Sequence, residues 1–202
     1  ITDLADKYNA SVYVDEAHSL GVFGEQGRGI CNHLGLTDKV DLIMGTFSKS
    51  LATIGGFIAT DAETINFLKH HSRSYIFSAS ISPAATASVI AALDVIKQEP
   101  ERLKNLWEIT NYSLSAFRSL GFEIGQTQTP IIPLYIRDMD KTFMITQELY
   151  ESGVFVNPVI PPACSPNDTL IRFSLMATHT KSQIDEAVDK LTKVFRKYEI
   201  IK

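Results

Sequence analysis

The chain is 202 residues long, 45% hydrophobic and 21% charged, a balance that excludes disordered, collagen-like and low-complexity proteins. Lys and Arg number 19 against 23 Asp and Glu, and the resulting net charge of −4 gives no bulk attraction to nucleic acid or to an anionic membrane. Lys, Asp or Gly breaks every apolar run well short of the about 18 residues that read as a membrane-spanning helix.

The text opens Ile1-Thr2-Asp3-Leu4-Ala5-Asp6-Lys7-Tyr8, without Met and with helical spacing of Leu4, Ala5 and Tyr8. It therefore reads as a fragment that begins inside an element. Three short apolar runs follow: Ser11 to Val14, Val40 to Met44, and Gly55 to Ala59. Runs this short read as buried strands of an α/β sheet. The glycines at 21, 24, 27 and 29 between the first two read as a surface stretch. Thr60-Asp61-Ala62-Glu63 has the form of a capping box and opens a helix toward His70. Ser82-Pro83 reads as an N-cap and first-turn proline. The segment from Ala84 to Ile96 is apolar on nearly every face, which predicts a helix buried against a sheet or a partner subunit.

The character changes at Lys97-Gln98-Glu99-Pro100, which sets the expected division: residues 1–97 as one domain and 98–202 as a second. Leu103, Leu106, Trp107, Leu114 and Phe117 form an amphipathic stripe stopped by Gly121. Strands are expected at Ile131–Ile136, Val154–Val159 and Leu170–Leu175, with a helix at Thr142–Ser152. A last helix opens at the capping box Thr180-Lys181-Ser182-Gln183, with Ile184, Ala187, Val188, Leu191, Val194 and Phe195 facing inward. Helices on one face of a small sheet make this second part an α+β domain.

Asp15 and Lys49 each sit just past the end of an apolar strand. In an open α/β sheet, ligands bind in the crevice outside the carboxyl ends of the strands. A carboxylate and an amine brought there together suit pyridoxal phosphate, which needs a lysine for its Schiff base and an acid to keep its pyridine nitrogen protonated. Thr46 and Ser48 flank the lysine and could supply hydroxyls to the phosphate. Asp15-Glu16-Ala17-His18 also spells the DEAH box of nucleic-acid helicases, but the G-x-x-x-x-G-K-[ST] loop that this reading requires is nowhere in the chain. Two distant cysteines, Cys31 and Cys164, make neither a disulfide framework nor a zinc site, so no metal is expected and both read as free thiols of a reducing cytoplasm.

The blocks Val14-Asp15-Glu16-Ala17-His18-Ser19-Leu20-Gly21, Gly45-Thr46-Phe47-Ser48-Lys49-Ser50 and Gly55-Gly56-Phe57 resemble the α-oxoamine synthases. Tyr75 to Ser80 with Ser82-Pro83, the proline loop Pro161-Pro162-Ala163, and Leu170 to Ser174 with His179-Thr180 extend the likeness over essentially the whole chain. These are fold-type-I pyridoxal-phosphate enzymes that condense an amino acid with an acyl-CoA and lose CO₂. The resemblance implies an α/β fold: the C-terminal part of a fold-type-I pyridoxal-phosphate transferase large domain, followed by a small α+β domain. Thr-Phe-Ser-Lys-Ser before the glycine pair looks most like the bacterial branch that condenses L-serine. The sister branches of aminoketobutyrate ligase or aminooxononanoate synthase type, using glycine or alanine, are the alternative. A structural fragment without catalysis of its own is the reading from a different class.

By the same resemblance, Lys49 forms the Schiff base and later moves the α-proton, Asp15 pairs with the pyridinium nitrogen, and His18 bonds the ring's phenolic oxygen. Thr46 and Ser48 serve the phosphate side, and Ser78 reaches the phosphate of a neighbouring subunit in a homodimer with shared sites. Some members carry an arginine just before the proline loop, where this chain has Ile160, which leaves Arg172 as the candidate for the substrate carboxylate. Glu16 reads as structural or supporting, and His33, His70, His71 and His179 as structural or surface residues.

Overall fold

The helical spacing at the amino end becomes α1 (Thr2–Tyr8), which stops where Asn9 enters the left-handed region at φ 51°, a conformation asparagine tolerates. The computed structural model describes residues 1–202 and divides into two units, Ile1–Leu103 and Lys104–Lys202.

In the first unit β1 (Tyr13–Asp15) pairs in parallel with β2 (Leu42–Thr46), Asp15 opposite Met44. Between them lies a single helical turn, α2 (Ile30–His33). The third strand, β3 (Gly56–Ala59), adds antiparallel to β2, giving the order β1-β2-β3. Parallel pairing puts the carboxyl ends of β1 and β2 on the same edge, which is what assembles the site described below. The glycine-rich stretch departs from the expected surface segment. Gly27 and Gly29 are buried, because the chain folds back there against the turn that follows β1.

Three helices complete this unit: α3 (Ala62–His71), α4 (Arg73–Ile76) and α5 (Pro83–Gln98). The cap of α3 is Asp61, one residue later than the expected Thr60. The Asp61 carboxylate accepts the Thr64 N–H at 2.9 Å, while the Thr60 hydroxyl donates to the Asp41 carbonyl at 2.6 Å. Ser82 caps α5 with Pro83 in its first turn, as the sequence predicts. The expected burial of α5 is not found. Only Val89 is buried, and Ile90 is 57% exposed. Ala85, Ala92 and Ile96 are half-buried, and the helix's other apolar side chains are exposed.

The second unit carries α6 (Glu101–Ser119) through most of its length, then β4 (Ile131–Tyr135), α7 (Met139–Glu151), β5 (Asn157–Val159), β6 (Leu170–Ser174) and α8 (Lys181–Lys197). The sheet is antiparallel in the order β4-β6-β5. Pro133 and Pro158 lie in its two edge strands, where a missing N–H leaves no gap in the ladder; the central strand has no proline. β5 is shorter than expected, although Val154 and Val156 before it are buried. Ile132, Leu134, Ile171 and Phe173 alternate inward and are buried, as are Phe117 of α6, Ile145 and Leu149 of α7, and Leu191 and Phe195 of α8. The rings of Phe117 and Phe173 stand edge to face at 5.1 Å. The capping box at Thr180 and Gln183 forms. Most of the buried hydrophobic side chains belong to this unit; the first contributes Val12, Ala17, Cys31, Leu51 and Val89.

Candidate active site at the carboxyl edge of β1 and β2

Asp15 is the last residue of β1, and its side chain is fixed by the N–H of Ala17, which donates to Oδ1 at 2.8 Å. The residue is exposed, and Oδ2 does not share in that bond. The chain then turns through Ala17, His18 and Ser19, with His18 exposed. On the neighbouring strand Thr46 ends β2, and Ser48 and Lys49 follow in an exposed turn. The hydroxyls of Thr46 and Ser48 lie 3.0 Å apart, and Thr46 also donates to the Gly55 carbonyl at 3.2 Å. Leu51, 2% exposed, pins this turn to the interior. The Phe47 N–H donates to Gly55 at 2.9 Å, and the Thr53 N–H donates to Phe47 at 2.9 Å.

The two turns are joined. The Ser50 hydroxyl donates to the Leu20 carbonyl at 2.6 Å, tying the lysine turn to the turn that carries Asp15 and His18. Gly21 allows this approach: a Cβ there would lie 2.5 Å from Ser50 Cβ, and its φ of +78° is one that side chains rarely adopt. Sequence reasoning singled out neither Ser50 nor Gly21 for this contact, and spacing alone offers no signal for it, since the partners are 30 positions apart.

Glu16 is 1% exposed. Burial alone would raise its pKa, but hydrogen bonds from Ser19, Cys31 and Ile30 outweigh that and hold it below its ordinary value. Cys31, beneath it, is pushed up to about 11 by burial and by the Glu16 carboxylate, so it stays a neutral thiol. Asp15, His18, Thr46, Ser48 and Lys49 thus share one edge of one sheet. Ser78 is exposed in the segment between α4 and α5, and no hydrogen bond ties it to that cluster.

Arg172 stands in the second unit, in β6, one residue out of phase with the inward-facing Ile171 and Phe173. None of the chain's ion pairs includes it, and its Nε is buried without a hydrogen-bond partner. It lines an open pocket of about 570 Å³ together with Phe155, Asn157, Met176, His179 and Lys190. A guanidinium left unpaired beside a pocket is disposed to take up an anion.

Residues 1–191 match the aminotransferase class I and II family, and the chain belongs to it. Within that class, it is 65% identical over 201 residues to the serine palmitoyltransferase of Bacteroides ovatus, covering all of this chain and 51% of the relative. It is 40% identical over 201 residues to the 8-amino-7-oxononanoate synthase of Fervidobacterium nodosum, again covering 51% of the relative. Among solved structures, SPT with a PLP internal aldimine matches with a TM-score of 0.93 at 32% identity, over 99% of this chain and 51% of that one. The Sphingomonas wittichii serine palmitoyltransferase matches with a TM-score of 0.93 at 31% identity, over 100% of this chain and 51% of that one. The chain therefore spans about half the length of the relatives it matches. Its fold is the α/β fold of the fold-type-I class.

Proposed function

We propose that the protein is a pyridoxal-phosphate-dependent acyltransferase of the α-oxoamine synthase type, which condenses L-serine with an acyl-CoA, releasing CoA and CO₂, to give an aminoketone. In this reading residues 1–97 are the C-terminal part of the cofactor-binding large domain, and residues 98–202 are the small domain. The observation that carries the reading is the delivery of Asp15 and Lys49 to one carboxyl edge by two adjacent parallel strands, their turns joined through Ser50 and Leu20. The donor set suits the cofactor: an amine, an exposed carboxylate, and two hydroxyls 3.0 Å apart.

Bound pyridoxal phosphate supplies an electron sink that stabilises a carbanion at the amino acid's α-carbon. The chain's own residues do the rest. Lys49 would hold the cofactor covalently through Nζ and, once the amino acid displaces it, take the α-proton at Nζ. Asp15 Oδ2 would keep the proton on the pyridine nitrogen, since a carboxylate there favours the cationic ring. His18 would bond the phenolic oxygen, and Thr46 and Ser48 would donate to the phosphate. Arg172 would pair with the substrate carboxylate; its unpaired guanidinium supports that role. Ser78 would serve the phosphate of a second subunit in a homodimer. The exposed apolar faces of α5 support burial of that helix in the assembled protein. No helix is long and apolar enough to cross a membrane, and the proposed setting is the cytoplasm.

The likeness to 8-amino-7-oxononanoate synthase, at 40% identity, keeps a glycine- or alanine-using sister activity as the second reading. Borohydride reduction of the full-length, cofactor-loaded protein, followed by peptide mapping, tests the site. The label is expected on Lys49 and absent in Lys49→Ala; labelling of another lysine with Lys49→Ala still binding covalently overturns the assignment. CoA release with L-serine, glycine and L-alanine in turn separates the two substrate readings.

A further inference from the structure

Glu16 sits between Asp15 and His18, the residues proposed above to hold the cofactor ring, and every polar group it owns is engaged. Its N–H donates to the Met44 carbonyl at 2.8 Å, extending the pairing of β1 with β2. Its carbonyl accepts the N–H groups of Ser19 at 3.1 Å and Leu20 at 2.9 Å, which closes the turn. Its carboxylate accepts from the Ser19 hydroxyl, from the Ile30 N–H at 2.7 Å and from the Cys31 N–H at 2.8 Å. No cation pairs with it, so the buried charge is held by oriented donors alone. Gly29 makes room for it: a Cβ there would lie 2.5 Å from Oε2 and 2.6 Å from Cδ of Glu16. An apolar side chain could fill this volume, but only an acceptor with two oxygens fixes a direction as well.

We propose that Glu16 is a positioning residue that locks the turn carrying Asp15 and His18 against Gly29–Cys31, so that both side chains meet the cofactor ring at a fixed angle. This rests on the cofactor reading above. The locking is carried by six backbone or hydroxyl donors and acceptors around one residue, with the carboxylate as the only link between the β1 turn and α2 among them. Losing the carboxylate's grip removes the turn's direct tie to Ile30 and Cys31, which loosens its orientation without removing Asp15 or His18.

The test uses full-length, cofactor-loaded protein with two readouts that a purely structural role leaves unmoved: the visible circular dichroism of the bound cofactor, and the pH midpoint of its absorbance. In Glu16→Gln one acceptor becomes a donor that faces other donors. The expected result is a loss of most of the visible dichroism and a shift of the midpoint by about one pH unit, the tenfold change that one charge-assisted hydrogen bond is worth, with far-ultraviolet dichroism unchanged. Ser19→Ala removes a single donor and leaves the carboxylate in place; a smaller shift in the same direction is expected, and this variant decides the matter if Glu16→Gln does not fold. Folded variants with the parental dichroism and midpoint overturn the proposal. A parent protein without a Lys49-dependent absorbance band overturns the cofactor reading itself, a result distinct from the first.

Discussion

Asp15→Asn isolates charge from geometry at the proposed site. Of the two carboxylate oxygens, Oδ1 is committed to the Ala17 N–H at 2.8 Å, and an asparagine oxygen can keep that bond. The change is thus confined to the other position, where an acceptor bearing charge becomes a neutral donor. Because Asp15 is exposed and the local turn is retained, folding stability should move by no more than about 0.5 kcal/mol. The chemistry should move far more. A hydrogen bond to a charged group contributes about 1.5–3 kcal/mol, and loss of the pyridine proton removes further carbanion stabilisation. A total of about 3–4 kcal/mol corresponds to a hundredfold to thousandfold slower α-proton exchange, at about 1.4 kcal/mol per power of ten. The assay is deuterium exchange at the α-carbon of L-serine, followed by NMR on full-length protein with cofactor content measured in parallel. Exchange within about threefold of the parent at full loading would refute the reasoning, because the ring proton would then be held by some other group.

Three further outcomes are expected. Phe117→Ala empties a fully buried position whose ring meets Phe122 and Phe173, each at 5.1 Å; urea unfolding of the full-length protein should show a loss of about 3–5 kcal/mol, and a loss below about 1 kcal/mol would mean that the cavity collapses freely. The Arg137 guanidinium beside Glu123 holds that carboxyl below its ordinary value of 4.5, so the pair's stabilisation is complete above that value and fades as the pH falls below it; thermal midpoints of Glu123→Gln should drop less steeply than those of the parent between about pH 5 and pH 3, and parallel curves would show that the exposed pair contributes nothing. Finally, Lys49→Ala chains mixed with Ser78→Asp chains, which set a negative charge against the cofactor phosphate, should regain activity above either homodimer; no recovery despite demonstrated subunit exchange would place Ser78 in the service of its own chain or of none.

Much of the molecule is written locally. The placing of Asp15 at the end of β1 and of Lys49 in the turn after β2, the Ser82 and Thr180 caps and the inward stripe of α8 all follow from periods of two and 3.6 and from residue chemistry confined to a few neighbours. Three features are not local. The shift of the α3 cap from Thr60 to Asp61 depends on the Asp41 carbonyl, which draws the Thr60 hydroxyl away. The burial of Gly27 depends on the Gly21 backbone and that of Gly29 on the Glu16 carboxylate, partners that no spacing along the chain reveals. The exposure of α5 depends on what covers it, and an apolar circumference records only that a cover is required. The sequence by itself determined which residues could carry the chemistry and which elements bear them. Only the tertiary structure decided that β1 and β2 run parallel, that Ser50 ties their two turns together across 30 positions, and that Arg172 Nε is buried without a hydrogen-bond partner, because each depends on which segments remote in sequence come together after folding.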